Sequence, residues 1–209
     1  MADKAEQRAE LRASRTALGD AELTTATDGL LRVGSAFFAQ LELPEERQAI
    51  AAYLPIGQEP DITPLLGQLY QQGREIYLPI CEPEYQLSWT RWDPAAELQR
   101  SALSWVLEPV GERHGIEIMD TVGALLIPAL ALDGCGLRMG QGGGYYDRFL
   151  AALSSRQAAK PSSSTVPAAL RVGVVFGAEL LPAGELAGDE LDQPVDYALT
   201  PEFFRALEC

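Results

Sequence analysis

Residues 123–150 read GALLIPALALDGCGLRMGQGGGYYDRFL, and their middle is Arg138-Met139-Gly140-Gln141-Gly142-Gly143-Gly144-Tyr145-Tyr146-Asp147-Arg148. Four glycines fall within residues 140–144. Glycine buries almost nothing and loses more backbone entropy on folding than any other residue, so such a cluster is not there for packing. It serves close backbone approach and positive φ. An apolar strand candidate, 123–127, precedes the loop, and a helix candidate, 145–153, follows it. Strand, glycine loop and helix in that order aim free amides and a helix dipole at an anion, usually phosphate. The competing reading is a flexible surface turn. No Gly-Lys pair exists anywhere in the chain, so the loop is not a Walker A element. Nor is it GxGxxG, because the sixth position counted from Gly140 is Tyr145.

Working outward, the spacing predicts a helix over 3–18 capped by Asp3, and a second over 27–41 stopped by Pro44. Strands are expected at 48–54, 75–80, 85–89, 171–176 and 195–199. Thr63-Pro64 opens a third helix that ends near Gly73. Residues 93–100 suit one or two helical turns, and 105–115 read as a surface loop carrying His114 as a solvated side chain. The Ser-, Ala-, Pro- and Gln-rich stretch 154–167 reads as a mobile loop. Alternating strands and helices predict a single α/β domain over 1–209. Its expected architecture is three-layer α/β/α, with a largely parallel sheet flanked by helices. In such sheets ligands gather beyond the carboxyl ends of the strands, where Glu59, Arg138 to Asp147 and the segment after Phe176 all fall.

Composition bounds the function. The 209 residues are 47% hydrophobic and 22% charged, ordinary for a globular protein with one sizeable core. No apolar run approaches the ~20 residues that span a bilayer, and the charged N-terminus lacks the apolar core of a signal peptide. The net charge of −14 argues against nucleic acid and makes any anion site a local achievement. Three scattered cysteines, Cys81, Cys135 and Cys209, in no metal-ligand spacing, suggest a reducing cytoplasm. One histidine makes a zinc site of the usual kinds unexpected. Lys4, Arg8, Arg12 and Arg15 recur at helical spacing; on spacing alone a solvated face paired with Glu6 and Glu10 is favoured over a ligand clamp.

The central stretch resembles the signature of the 5-formyltetrahydrofolate cyclo-ligase (methenyltetrahydrofolate synthetase) family: a Pro, a small apolar run ending in Asp, then Arg-Leu-Gly-x-Gly-x-Gly-Tyr-Tyr-Asp. The likeness covers nearly the whole chain and is densest over 123–150. It implies an ATP-dependent, magnesium-dependent ligase of one-carbon metabolism, cytoplasmic and monomeric, that cyclises 5-formyltetrahydrofolate to 5,10-methenyltetrahydrofolate through a phosphorylated formyl oxygen. By the same resemblance Lys4 and Arg8 reach the ATP phosphates, together with Arg138, Met139, Gly140, Gln141, Gly142, Gly143, Gly144, Tyr145 and Tyr146. Lys4, Arg138 and Tyr145 carry the catalytic role. Leu54 and Glu59, with Gln141, Gly142, Gly143, Gly144 and Tyr145, face the folate. Asp147 and Asp192 match magnesium ligands. Two departures stand out: Met139 replaces the usual Leu, and Gln141 occupies a position that is often basic or aromatic in relatives. The role of Trp105 stays open. The alternative is an ATP- and folate-binding paralogue with another substrate or a regulatory role.

Overall fold

Val122–Pro128 is buried along nearly its whole length, and an apolar run with no polar alternation belongs at the centre of a sheet covered on both faces. A computed structural model describes residues 3–159, 167–188 and 192–209 of the chain. Its helices are α1 (Lys4–Thr16), α2 (Asp20–Gln40), α3 (Thr63–Gln71) and α4 (Tyr145–Ala158). The strands are β1 (Ala49–Ala51), β2 (Ile76–Glu82), β3 (Gln86–Trp92), β4 (Leu98–Arg100), β5 (Leu107–Pro109), β6 (Arg113–His114), β7 (Val122–Pro128), β8 (Ala131–Asp133), β9 (Arg138–Met139), β10 (Leu170–Val174), β11 (Leu180–Leu181), β12 (Tyr197–Leu199) and β13 (Phe204–Ala206).

The main sheet runs β13-β12-β10-β7-β1-β2-β3-β6. Its five central strands, β12 to β2, pair in parallel, and β13, β3 and β6 add antiparallel edges. Side chains alternate across it as the strand period requires. Ile50, Leu126, Val172 and Leu78 face one layer, where Leu30, Val33 and Phe37 of α2 and Leu65, Leu66 and Leu69 of α3 close the core. Ala51, Leu125, Ile127 and Trp89 face the other, against Phe149, Leu150 and Leu153 of α4. The three-layer, largely parallel expectation holds. A small three-stranded sheet, β11-β8-β9, and a hairpin, β4-β5, are appended.

Several local expectations shift. α2 begins at Asp20, well before residue 27. The Glu22 carboxylate accepts the Gly19 N–H (2.9 Å) at its start, and Thr24, Thr25 and Thr27 return their hydroxyls to carbonyls one turn back. Threonines that look like a connection are thereby satisfied inside a helix. Residues 93–100 form a turn leading into a strand instead of helix, because Leu98–Arg100 pairs with Leu107–Pro109 across the hairpin. The surface loop expected at 105–115 accordingly holds β5 and β6, and His114 pairs with Trp89 at the sheet edge. α4 runs through Ala158, into the stretch read as a mobile loop, with Leu153 anchoring it; residues 160–166 of that stretch lie outside the described residues. Cys135 and Cys209, scattered in sequence, are joined as a disulfide with their Cα atoms 4.7 Å apart. Cys81 stays a free thiol. Among the described residues, no helix is long and apolar enough to cross a membrane.

Candidate active site

The glycine loop closes the turn between β9 and α4. Gly142 (φ +96°) and Gly144 (φ +75°) occupy the left-handed region, Gly144 directly capping α4. A side chain at either position would strain the backbone, so the loop keeps its amides uncovered at the helix N-terminus. Together with Gly140, Gln141, Gly143, Tyr145, Tyr146 and Asp147 it forms one wall of a cavity of about 200 Å³. Tyr53, Leu54, Ile56 and Glu59, from the segment that leaves β1, form another part of its wall.

α1 lies across this loop. Its basic stripe is no solvated face: Arg8 Nε donates to the Gly140 carbonyl (3.1 Å), and Arg12 donates through Nη2 to the Gln141 carbonyl (2.5 Å) and through Nε to Gln141 Oε1 (3.2 Å). Lys4 Nζ holds both oxygens of Asp192 (2.7 and 2.6 Å). Arg15 does a different job. It is buried, bonds both oxygens of Glu179 (2.6 and 2.7 Å) and the Ala129 carbonyl, and lies over the Phe176 ring. Ala129 follows β7 and Phe176 follows β10, so Arg15 pins α1 to the carboxyl ends of two central strands. Spacing alone could not separate the docking arginine from its neighbours, since the distinction depends on what each one meets.

Arg138 is 3% exposed, donates to the Pro128 carbonyl (3.3 Å) and pairs with Asp147. Its guanidinium carbon stands 5.9 Å from the Tyr146 ring centre. The Tyr146 hydroxyl is buried and has no hydrogen-bond partner among the described residues, and burial pushes it far above the usual phenol range. Glu59 is 6% exposed. Its Oε2 accepts the Ile56 N–H (3.1 Å) and its Oε1 accepts Gln141 Nε2 (3.1 Å). Burial raises its carboxyl, while the bonds from Gln141 and Ile56 oppose that rise by favouring the anion.

The expected residues therefore divide. Leu54, Glu59, Arg138, Gly140, Gln141, Gly142, Gly143, Gly144, Tyr145, Tyr146 and Asp147 all line one cavity. Met139 is buried beneath it, packed with Leu130, Ala131 and Leu186. Lys4, Arg8 and Asp192 stand outside the cavity wall, tied to it through the α1 contacts. Asp147 and Asp192 are each paired with a cation, Arg138 and Lys4 respectively. Among the described residues, no group of three or more His, Cys, Asp or Glu side chains gathers as a metal nest.

Sequence reasoning missed the roof. Ser104, Val106, Leu107 and Pro109 of the β4-β5 hairpin line the cavity, as do Cys81 and Leu87 of the β2-β3 pair, while Trp105 between them is 92% exposed. Burial and the nearby Glu108 push the Cys81 thiol up; burial and Cys81 push the Tyr145 phenol up. Tyr85 was missed as well. It and Glu84 hold positive φ (60° and 59°) in the β2-β3 turn. This sets the Tyr85 ring 5.5 Å from Tyr145 and beneath the Arg148 guanidinium at 4.7 Å. A Glu-Tyr pair in left-handed backbone leaves no sequence signal.

Known proteins resemble the chain throughout. A solved Aquifex aeolicus 5,10-methenyltetrahydrofolate synthetase superposes with a TM-score of 0.70 at 29% identity, covering 99% of this chain and 93% of that one. A Mycoplasma pneumoniae 5,10-methenyltetrahydrofolate synthetase, at 18% identity and a TM-score of 0.67, shares the fold. The 5-formyltetrahydrofolate cyclo-ligase of Escherichia coli K12 is 33% identical over 103 residues, which span 48% of this chain and 56% of that protein. The enzyme of that name from Mycolicibacterium smegmatis is 28% identical over 160 residues, 74% of each chain. Residues 1–201 match the model of the 5-formyltetrahydrofolate cyclo-ligase family, to which the chain therefore belongs.

Proposed function

We propose that the protein cyclises 5-formyltetrahydrofolate to 5,10-methenyltetrahydrofolate with conversion of ATP to ADP and phosphate. The observation that carries this reading is one cavity with two chemically distinct walls. One is a helix N-terminus with uncovered amides and buried Arg138; the other is the buried Glu59 carboxylate. The first suits polyphosphate. The second suits a row of N–H donors such as a reduced pterin presents. Two substrates that must react with each other need this adjacency.

An amide oxygen is a poor leaving group. In the proposed sequence the formyl oxygen attacks the γ-phosphorus of ATP, and ADP departs. The aminobenzoyl nitrogen then attacks the activated carbon, loses its proton, and inorganic phosphate leaves with the former formyl oxygen. Phosphoryl transfer asks the protein mainly for positioning and charge neutralisation. Arg138 and the amides of Gly142 to Tyr145 would hold the phosphates, with Lys4 and Arg8 reaching them from α1. Tyr145 and Leu54 would border the folate.

Magnesium fits the residues present. Asp147 pairs with Arg138 on the cavity wall and Asp192 with Lys4 outside it; phosphates that draw Arg138 or Lys4 away would leave the carboxylate concerned available to an ion. Magnesium is commonly held through one or two carboxylates plus phosphate and water, so a three-carboxylate nest is not required. Bound there, it would supply neutralisation of phosphate charge. A spectrophotometric assay with 5-formyltetrahydrofolate, ATP and magnesium tests the proposal. Methenyl product should form only with all three, and turnover without nucleotide, or none with every component, would falsify it.

A further inference from the structure

Gln141 carries the one side chain beyond hydrogen among residues 140–144, and both ends of its amide are engaged. Arg12 can only donate, so the atom it meets must be the amide oxygen; an ionised Glu59 can only accept, so the atom it meets must be the amide nitrogen. The orientation Arg12 Nε to Gln141 Oε1 (3.2 Å) and Gln141 Nε2 to Glu59 Oε1 (3.1 Å) is thus chemically forced. Arg12 also holds the backbone carbonyl of Gln141 (2.5 Å), fixing the residue at two points. The chain of contacts runs from α1, through the loop, to the carboxylate contributed by the segment after β1.

We infer that Gln141 is a positioning residue that ties the glycine loop to Glu59, with Arg12 orienting its amide, so that the folate wall is set only when the loop is docked on α1. This rests on the reading of Glu59 as the folate acceptor. Two features support it. Gln141 stands where a neutral amide can hold an anion without competing with it for the donors of a ligand. In addition, a protonated Glu59 would turn a hydroxyl or a weak acceptor toward Nε2, so the bond selects the ionised form against the pull of burial. The other groups facing Glu59 are Arg15, which favours the anion, and Glu179, which opposes it. Tyr53 and Tyr146 also face it, both held neutral by burial.

The test uses the whole chain, first without ligands. Titration of the Glu59 carboxyl followed by ¹³C NMR should move to higher pH in Gln141→Ala, and further in Gln141→Glu, which puts a second carboxylate beside it. Gln141 is solvent-exposed, so both variants should keep the wild-type amide fingerprint. In kinetics, Gln141→Ala should raise KM for 5-formyltetrahydrofolate about tenfold, through a Glu59 that is less firmly placed and less readily ionised. The acidic limb of kcat/KM should move up in pH with it. ATP affinity measured without folate should stay within about twofold, because the loop amides remain. Arg12→Ala should raise the folate KM less, and add less in the Gln141→Ala background than in wild type, because only its bond to the backbone carbonyl at position 141 is then left to lose. A Glu59 titration that superimposes on wild type in Gln141→Ala overturns the inference, as does strict additivity of the two variants. If wild-type protein turns over no folate, the cyclo-ligase reading falls, and the ligand-free titration still decides the Gln141–Glu59 link.

Discussion

Glu59 and Asp147 are both carboxylates on the cavity wall, and their surroundings give them opposite tasks. Glu59 is buried with neutral donors around it; Asp147 is about one-third exposed and carries a guanidinium. Burial raises the Glu59 carboxyl, so holding it ionised costs stability above its ordinary titration range, and that cost disappears as pH falls below it. Glu59→Gln should therefore melt no lower than wild type at pH 7, with the difference closing toward pH 4. The same change should raise the folate KM about tenfold or more by removing charge-assisted bonds. A lower melting temperature at pH 7 with unchanged folate KM would make Glu59 a purely structural carboxylate. Asp147→Asn should lower kcat at least tenfold while leaving folate binding nearly intact. Excess magnesium should restore part of the rate, since an amide keeps the shape and loses the charge. An unchanged magnesium dependence would move the ion toward Asp192.

At the scale of elements, α1 is the decisive piece, for it has little apolar surface to dock with. Leu11 reaches the small cluster around Leu130 and Met139, and of the helix's polar anchors the most deeply buried is the Arg15–Glu179 pair, beside the more exposed contacts of Lys4, Arg8 and Arg12. Removing one partner of such a pair leaves a buried charge uncompensated, which costs about 3–5 kcal/mol. Arg15→Ala should thus lower stability by about that amount and weaken ATP binding through loss of the α1 dock. Lys4→Ala, at the start of the same helix, removes the ammonium that pairs with Asp192. It should cost less stability than Arg15→Ala, because Lys4 is partly exposed, yet weaken ATP about ten- to a hundredfold, the worth of a charge-assisted phosphate contact. Paired melting curves and ATP titrations distinguish the two. If Arg15→Ala leaves ATP affinity untouched while lowering the melting temperature, α1 docks independently of the nucleotide site.

For the whole molecule, a net charge of −14 works against any anionic ligand, so the site must gather its positive field locally. The three layers bring α1, the glycine loop and the segment after β1 to the same end of the sheet, where that is possible. ATP at a hundredfold excess over its Kd should add about 2.7 kcal/mol of stability. For a chain of this size that is a rise of about 5–11 °C in melting temperature. The rise should shrink with added salt, because the contacts are partly exposed charges. A melting temperature indifferent to ATP and magnesium would remove the nucleotide from the cavity.

The glycine loop, the strand before it and the helix after it were legible in residues 123–153, because those states need specific backbone freedom and an apolar period that few other residues supply. The α/β layering followed from the alternation of such segments, and the candidate site residues followed from the resemblance that the loop carries. What the basic stripe of α1 touches was not legible: Arg8 and Arg12 reach the loop, and Arg15 reaches Glu179, across more than a hundred residues of chain. The hairpin that roofs the cavity was hidden for a related reason, since Leu98–Arg100 becomes a strand only by pairing with Leu107–Pro109. The Cys135–Cys209 bond likewise depends on two distant segments meeting. Local conformation is set by neighbours in sequence and can be read there. Partners are set by where the layers bring distant segments together, and that the tertiary structure alone decides.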